Sequence, residues 1–431
     1  MRVTFIQPTA PWDVQWMPSA AHGALKAYVE REVSGVTMDR YEPGVSIETT
    51  DVLAISATSE NYGRACEIAR KAKAYKPSIV TVIGGHHITA LPETLAPEMD
   101  WGVAGEGEAA LSDMLHVLIE KHKPRRGCMY RAAGPLDLDS LPFPWRDPNE
   151  PVTLQTSRGC PYACTFCSSS AFWKGVRWHS PEYVAAHVAH IASTQPNTTV
   201  LSIQDDLAIA DRKRFARIVD LLDARGLAQR FAYTLAVRAN LVDAELCGLL
   251  KRLRVQCVAF GAESGSDRIL EAANKRATVA DNQVALEVLA EAHIPCACSL
   301  IVGWPGETED DVRATYEFRN RNMAAGKLAD GVVNVLAPLP GTKVWNDWVA
   351  SCDRDWDEHL DGCQYCEHNR SGEPGQPDFR WERLGPFASF RHSRFPDFAA
   401  WCQARRDNDT VYVGGVDQER LFQLMAEGEA M

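Results

Sequence analysis

The sequence predicts an α/β protein: an N-terminal doubly wound (Rossmann-like) domain, then a partial (β/α)6 TIM-like barrel and a small C-terminal α-rich region. Three observations carry this. Short, near-continuous apolar runs alternate with longer amphipathic stretches over most of the 431 residues, the pattern of parallel strands covered on both faces by helices. A proline-rich break separates two such series. Polar, glycine-containing segments follow the apolar runs, at the strand ends where open α/β sheets and barrels carry ligands.

The first series, residues 1–133, has strands at Val3–Ile6, Val52–Ser56, Ile79–Ile83 and Trp101–Ala104, with helices at Tyr62–Tyr75 and Glu108–Lys121. Residues 134–151 hold five prolines and no sustained period. They read as an ordered linker whose Leu, Phe and Trp side chains pack on a domain surface. From 152 to 350 the barrel strands are Val152–Thr156, Thr199–Ile203, Phe231–Ala236, Gln256–Phe260, Cys296–Val302 and Gly331–Leu336. The helices are Pro181–Ser193, Asp211–Arg225, Asp243–Leu253, Val279–Ala292, Glu309–Ala325 and Lys343–Ala350. Such βα units close with right-handed crossovers. Residues 351–431 have a weaker pattern, with one or two helices after Arg391.

Composition excludes several classes. With 45% hydrophobic and 24% charged residues the chain is neither disordered nor fibrous. A net charge of -12 lacks the broad positive field that nucleic acid needs. No apolar run approaches the roughly 20 residues of a membrane span. The N-terminus reads as a first strand and not a signal peptide, so the expected location is cytoplasmic. Thirteen cysteines, an odd number without a secretion signal, point to reduced thiols and metal ligands.

The decisive segment is Thr156–Ser170, TSRGCPYACTFCSSS, which sets Cys160, Cys164 and Cys167 as C-x3-C-x2-C directly after the first barrel strand. Three thiolates on one short loop can each hold one iron of a [4Fe-4S] cluster. The fourth iron then has no ligand from this loop and is free to take a small molecule. Zinc would want a fourth Cys or His at close spacing, and none follows. Three core cysteines do not suit a polar, glycine-containing loop.

On these residues the chain resembles the radical S-adenosylmethionine (radical SAM) enzymes. With its N-terminal domain it resembles the cobalamin-dependent, B12-binding branch of that family, over about residues 1–350. The resemblance implies that the open iron chelates SAM and that an electron from the cluster yields a 5′-deoxyadenosyl radical. It places Phe166 near the adenine, Gln204, Asp205 and Asp206 at the methionine amino group, and Arg238 at the SAM carboxylate. Glu263 falls at the ribose or the methionine end and Gly303 and Pro305 of IVGWPGET at the adenine, and Ser299 is a further SAM-binding residue. Each also has a plainer reading, as a helix cap, a surface carboxylate or a turn. Ala337–Thr342 falls on the substrate side.

In the N-terminal domain, SATSENY, GGHHITALPE and GEGE resemble the cobalamin-cradling loops. They supply Ser56, Thr58, Ser59, Glu60, Asn61 and Tyr62 from the first. Gly84, Gly85, His86, His87, Thr89 and Leu91 come from the second, and Gly105, Glu106 and Gly107 from the third. The D-x-H-x-x-G motif that ligates cobalt from below is missing; Asp13 and His22–Gly23 have the wrong spacing. The resemblance then implies cobalamin held without that ligand, with Trp12, Trp16 or Met17 over the lower face. A domain that has kept its fold and lost the cofactor also fits.

The leading functional reading is cobalamin-dependent C-methylation of a small-molecule or natural-product precursor, with an electron donor such as flavodoxin or ferredoxin. A non-methylating oxidation, cyclisation or rearrangement is the alternative. A non-enzymatic cobalamin or cluster sensor is a third reading, of another class. A tRNA methylthiotransferase is disfavoured, because only Cys66 and Cys128 precede the barrel and the chain is acidic. Cys363 and Cys366 with His368, Cys352 and His359 read as incidental rather than as a zinc knuckle or second cluster. Cys247, Cys257, Cys296, Cys298 and Cys402 read as small core residues. The residue that does the chemistry on the substrate is not legible.

Overall fold

The computed structural model describes residues 1–8, 20–41, 47–59, 61–120, 127–131, 134–148, 150–173, 175–336, 339–351 and 418–430. Its contacts divide into two compact units, one of Met1–Glu150 joined by the chain from Val349, the other of Pro151–Trp348 with the C-terminal helix.

The first unit holds strands β1 (Arg2–Ile6), β2 (Thr37–Arg40), β3 (Val52–Ser56), β4 (Val80–Gly84), β5 (Trp101–Val103) and β6 (Cys128–Tyr130). Its helices are α1 (Ala20–Glu32), α2 (Tyr62–Tyr75), α3 (His86–Ala90) and α4 (Glu108–Ile119). The six strands pair in the order β2-β1-β3-β4-β5-β6, all parallel. Val3, Phe5, Val52, Ala54, Val82, Trp101 and Val103 share one face with Val29 of α1 and Leu111, Met114 and Leu115 of α4. The order reverses between β1 and β3, the switch point at which doubly wound sheets bind ligands.

Edge strands β2 and β6, and helix α1, go beyond the sequence reading. TMDR is too polar to look like a strand, yet Met38 is fully buried against β1. The proline-rich stretch packs on α1 as expected. Trp145 N–H donates to Gly23 O at 3.0 Å, and a Cβ on Gly23 would lie 2.3 Å from Trp145 O. His22 is buried between Phe5 and Trp145, and burial, then Arg40 and Lys26, lower its pKa to about 4.

The second unit holds β7 (Val152–Leu154), β10 (Val200–Ile203), β11 (Ala232–Ala236), β12 (Val255–Glu263), β13 (Cys296–Val302) and β14 (Asp330–Val335) in one parallel sheet, in the order β14-β13-β12-β11-β10-β7. A separate antiparallel hairpin pairs β8 (Ser157–Gly159) with β9 (Val176–Trp178). Helices α5 (Ser168–Trp173), α6 (Pro181–Thr194), α7 (Arg212–Ala224) and α8 (Ala244–Arg252) are followed by α9 (Asp267–Ala272) and α10 (Val279–Glu291). Then come α11 (Glu309–Ala324), α12 (Lys343–Ser351) and α13 (Gln418–Ala430).

Caps explain where these helices start. Ser180, Asp211 and Asp243 accept from backbone N–H groups of α6, α7 and α8, and Pro181 opens α6. Thr278 with Asp281 and Thr308 with Asp311 form capping boxes on α10 and α11. The outward strand faces, including Leu201, Ile203, Leu235, Phe260, Leu300 and Val302, share one core with the helices. The alternate residues Ser202, Thr234, Ser299 and Asn334 are half-buried on the inner face. Thr234 Oγ1 donates to Ser202 Oγ at 3.1 Å and Asn334 Nδ2 to Ser299 Oγ at 3.2 Å. The bulky branched filling of a closed barrel is replaced by small polar side chains.

Candidate active site

The three cysteines lie between β8 and α5, on a loop that the hairpin closes. Gly159, at φ 89°, is required there, because a Cβ would meet Gly175 O at 1.9 Å. Arg214 anchors the entrance: its Nη2 and Nε donate to Thr156 O (2.6 Å) and His179 O (2.8 Å). The loop is tied to the barrel at Thr165 N–H to Ala273 O (3.0 Å) and Asn274 Nδ2–H to Ala163 O (2.6 Å). Cys160, Cys164 and Cys167 are all free and half-buried. Burial pushes the Cys160 and Cys167 thiols up, and each senses the charge of another cysteine in the set. Binding a metal there must therefore release protons.

Asp205 departs from the expected role. It is buried, and its Oδ1 accepts from Thr156 N–H (2.6 Å) while Oδ2 accepts from Thr156 Oγ1 (2.5 Å) and Ser157 Oγ (2.6 Å). Those donors occupy it as the fastener between β10 and the start of the cysteine loop. Its neighbours stay open: Gln204 is exposed with Nε2 on Ser202 Oγ, and exposed Asp206 accepts from Gly159 N–H at 3.2 Å. Alternation explains the difference, since Asp205 shares the helix-facing side of Leu201 and Ile203 while Gln204 follows Ser202 on the inner face.

Arg238 follows β11, 6% exposed, with its guanidinium 3.7 Å from the centre of the Tyr162 ring and Nη1 3.8 Å from Cys164 Sγ. Its Nε and Nη2 are buried without a partner among the described residues. Glu263 ends β12 at φ 61° and forms a buried ion pair with Lys275 at 2.7 Å, so it is not a surface carboxylate. Ser299 faces the inner side through Asn334. Gly303, at φ 85°, donates N–H to Glu307 Oε2; Pro305 is exposed. Phe166 meets the buried Trp304 edge-on at 5.2 Å. Sequence reasoning missed Tyr162, Lys275 and Trp304; Tyr162 lies between Cys160 and Cys164, which is the signal that could have found it. Cys257, expected in the core, is half-buried instead.

The predicted cobalamin residues separate into two groups. Ser56, Thr58, Gly84, Gly85, Thr89, Gly105, Glu106 and Gly107 stay partly open, and His86 is exposed. Ser59, Asn61, Tyr62, His87 and Leu91 are buried and build the loops. His87 is fully buried, its ring nitrogens 3.0 Å from Ser59 Oγ and 2.9 Å from Thr94 Oγ1, stacked on Tyr62 at 3.8 Å. Burial lowers its pKa to about 3. His86 is thus exposed on the loop, whereas His87 is a core histidine. Asn61 bonds Pro8 O and Thr58 N–H, closing the loop on the end of β1. Glu60, Asp13, Trp12, Trp16 and Met17 lie outside the described residues, as do Cys352, His359, Cys363, Cys366, His368 and Cys402.

With this geometry in place, two family profiles match the chain: the radical SAM superfamily over residues 154–319 and the B12 binding domain over residues 35–115. The chain belongs to the radical SAM enzymes that carry a B12-binding domain. A methyltransferase of Pyrococcus horikoshii, itself uncharacterised, is 28% identical over 70% of this radical SAM enzyme and 70% of its own length. The anaerobic magnesium-protoporphyrin IX monomethyl ester cyclase of Cereibacter sphaeroides is 25% identical over 74% of this chain and 59% of its own. The hopanoid C-3 methylase of Methylococcus capsulatus is 25% identical over 72% and 61%. Among solved structures, the methyltransferase TsrM from Kitasatospora setae, with cobalamin and a [4Fe-4S] cluster bound, has TM-score 0.68 at 15% identity, over 81% of this chain and 75% of that one. OxsB with aqua-cobalamin has TM-score 0.68 at 15% identity, over 100% and 79%. These two show the fold.

The residues present fit the groups this radical SAM enzyme uses. Among the described residues no three His, Cys, Asp or Glu side chains close on a single ion. A cubane spreads its thiolates wider than a lone ion does, and three thiols on one loop without a fourth donor suit it. The unpartnered Arg238 nitrogens call for an anion such as the SAM carboxylate. After β5, Gly105, at φ 92°, leaves room for a corrin, since a Cβ there would meet nothing within 4 Å among the described residues. No described helix is long and apolar enough to cross a membrane.

Proposed function

We propose that this enzyme carries out cobalamin-dependent C-methylation of a small-molecule or natural-product precursor. When bound, the cluster supplies the electron that cleaves SAM, and cobalamin carries the methyl group. Cys160, Cys164 and Cys167 would hold the cluster, Arg238 the carboxylate end of SAM, and Gln204 and Asp206 its amino group. Phe166, Gly303 and Pro305 would flank the adenine. Ser56, Thr58, Gly84, Gly85, Thr89 and the 105–107 loop would cradle cobalamin. The half-buried hydroxyl and amide row of Ser202, Thr234, Ser299 and Asn334 suits an uncharged, hydrogen-bonding substrate. Reduced thiols and a low-potential donor such as flavodoxin or ferredoxin point to the cytoplasm.

The observation that carries the reading is the joint presence of the cysteine loop and the B12-binding domain in one chain. Similarity to anaerobic cyclases supports the alternative, a non-methylating oxidation or cyclisation. One assay separates them. Anaerobic protein is incubated with SAM, reductant, cobalamin and candidate substrates, and the nucleosides are quantified. Methylation gives S-adenosylhomocysteine alongside 5′-deoxyadenosine; the alternative gives 5′-deoxyadenosine alone. Absence of both, even uncoupled, overturns a radical route.

A further inference from the structure

We propose that Arg238 is a two-edged positioning residue that ties SAM docking to the electron affinity of the cluster. The inference rests on the radical SAM reading and goes beyond it. A guanidinium is a planar fork that cannot be deprotonated, so its edges can serve two acceptors at once. One edge is spoken for: Nη1 is 3.8 Å from Cys164 Sγ. The remaining donors, Nε and Nη2, are buried and unpartnered among the described residues, with the side chain only 6% exposed. A buried cation with unused donors is costly until an anion completes it. The Tyr162 ring, 3.7 Å from the guanidinium carbon, fixes the plane in which both edges lie. Tyr162 and Cys164 belong to the same cysteine loop, so Arg238 meets that loop at two points.

The physical consequence follows from charge. Reduction passes one electron from a low-potential donor into the oxidised cluster, adding one negative charge and moving no proton. A donor N–H and a fixed positive charge beside a ligand sulfur favour the reduced state. Asp206, whose negative charge acts on Cys160 and Cys167, opposes it. A SAM carboxylate arriving on the free edge draws part of the guanidinium field away from Cys164. SAM affinity and cluster potential are then two sides of one coupling free energy, and the coupling is reciprocal.

The test is an EPR-monitored redox titration of anaerobically reconstituted full-length protein, each sample run with and without SAM after iron and sulfide analysis. Wild type is compared with Arg238→Gln, Arg238→Lys and Tyr162→Leu. Wild type that takes up no cluster overturns the family reading itself, which separates that failure from this one. With the cluster loaded, Arg238→Gln is expected to lose tenfold in the reduction equilibrium, about 59 mV for one electron. Its response to SAM is expected to fall to half or less of the wild-type shift. Tyr162→Leu, which keeps the charge and loosens its aim, is expected to move the same way by less. Where Arg238→Gln takes up no cluster, Arg238→Lys decides, its single ammonium predicting a lower midpoint and a weaker SAM response. Loaded variants that match wild type in midpoint and SAM response overturn the proposal.

Discussion

Lys275 Nζ lies 2.7 Å from Glu263 Oε1, with the two side chains 9% and 7% exposed. The pair closes a small interlock at the end of β12. Glu263 takes a left-handed backbone conformation, φ 61°, and folds its carboxylate over Gly261, where a Cβ would meet Oε1 at 1.8 Å. Removing one partner strands a buried charge, whereas removing both does not. Lys275→Met is therefore expected to lower stability by roughly 3–5 kcal/mol. Lys275→Met with Glu263→Leu is expected to recover most of it. Urea unfolding of the two variants checks this; equal losses would refute the buried pair.

Asp205 gives a second test, because its carboxylate serves three donors at the entrance to the cysteine loop. Asp205→Ala leaves the buried Thr156 N–H without its acceptor, a loss of roughly 1–3 kcal/mol. It is expected to lower both the melting temperature and the iron bound per chain. Asp206→Asn, at an exposed position, is expected to leave the melting temperature within about 1 °C, since surface changes are usually within ~0.5 kcal/mol. Matched melting curves and iron analyses of both variants decide.

Much of the barrel was legible because the physics there is local. Strands buried under helices must be apolar, and their caps recur at helix starts, so Cys296–Val302 and the capped helices emerge from pattern alone. Edge strands need less burial, which hides Thr37–Arg40 and Cys128–Tyr130. The hairpin that closes the cysteine loop pairs residues either side of the motif, a tertiary fact that periodicity does not encode. The same limit applies to the site. The three cysteines carry their own spacing, but the burial of Asp205 under Thr156 and Ser157, and of His87 on the first turn of α3, is set by tertiary contacts. Lys275 is brought to Glu263 only by the turn after α9.

Two glycines in the cobalamin-like loops separate fold from ligand. Gly85 (φ 105°) and Gly105 (φ 92°) both lie where alanine is strained, at roughly 1–2 kcal/mol. A Cβ on Gly85 would also lie 2.5 Å from Ala57 O, while one on Gly105 meets nothing within 4 Å. Gly85→Ala is expected to destabilise the N-terminal unit beyond the strain alone. Gly105→Ala is expected to fold and, on the proposed placement of cobalamin against this loop, to lose cobalamin affinity. Spectral titration with hydroxocobalamin, next to thermal melts, reads the two effects separately. Unchanged affinity in Gly105→Ala would move the corrin away from this loop.

Glu307 yields a pH prediction with a definite sign. Its Oε2 accepts from the Gly303 and Trp304 N–H groups, and its buried Oε1 has no partner among the described residues. Burial raises its pKa from 4.5 to about 8, against those two backbone bonds, with Asp311 adding to the rise and Arg268 opposing it. The folded protein therefore holds this proton more tightly than the unfolded chain does. The resulting stability is complete below pH 4.5, falls as pH rises toward 8, and is gone above it. Glu307→Gln keeps an acceptor for both N–H groups and cannot titrate. The melting temperature of wild type relative to Glu307→Gln is accordingly expected to decline between pH 5 and 8 and then level off, a window set by the two pKa values. A difference that stays flat across that range would mean that Glu307 is ionised in the folded protein. The loop at Gly303 would then be held by a full carboxylate.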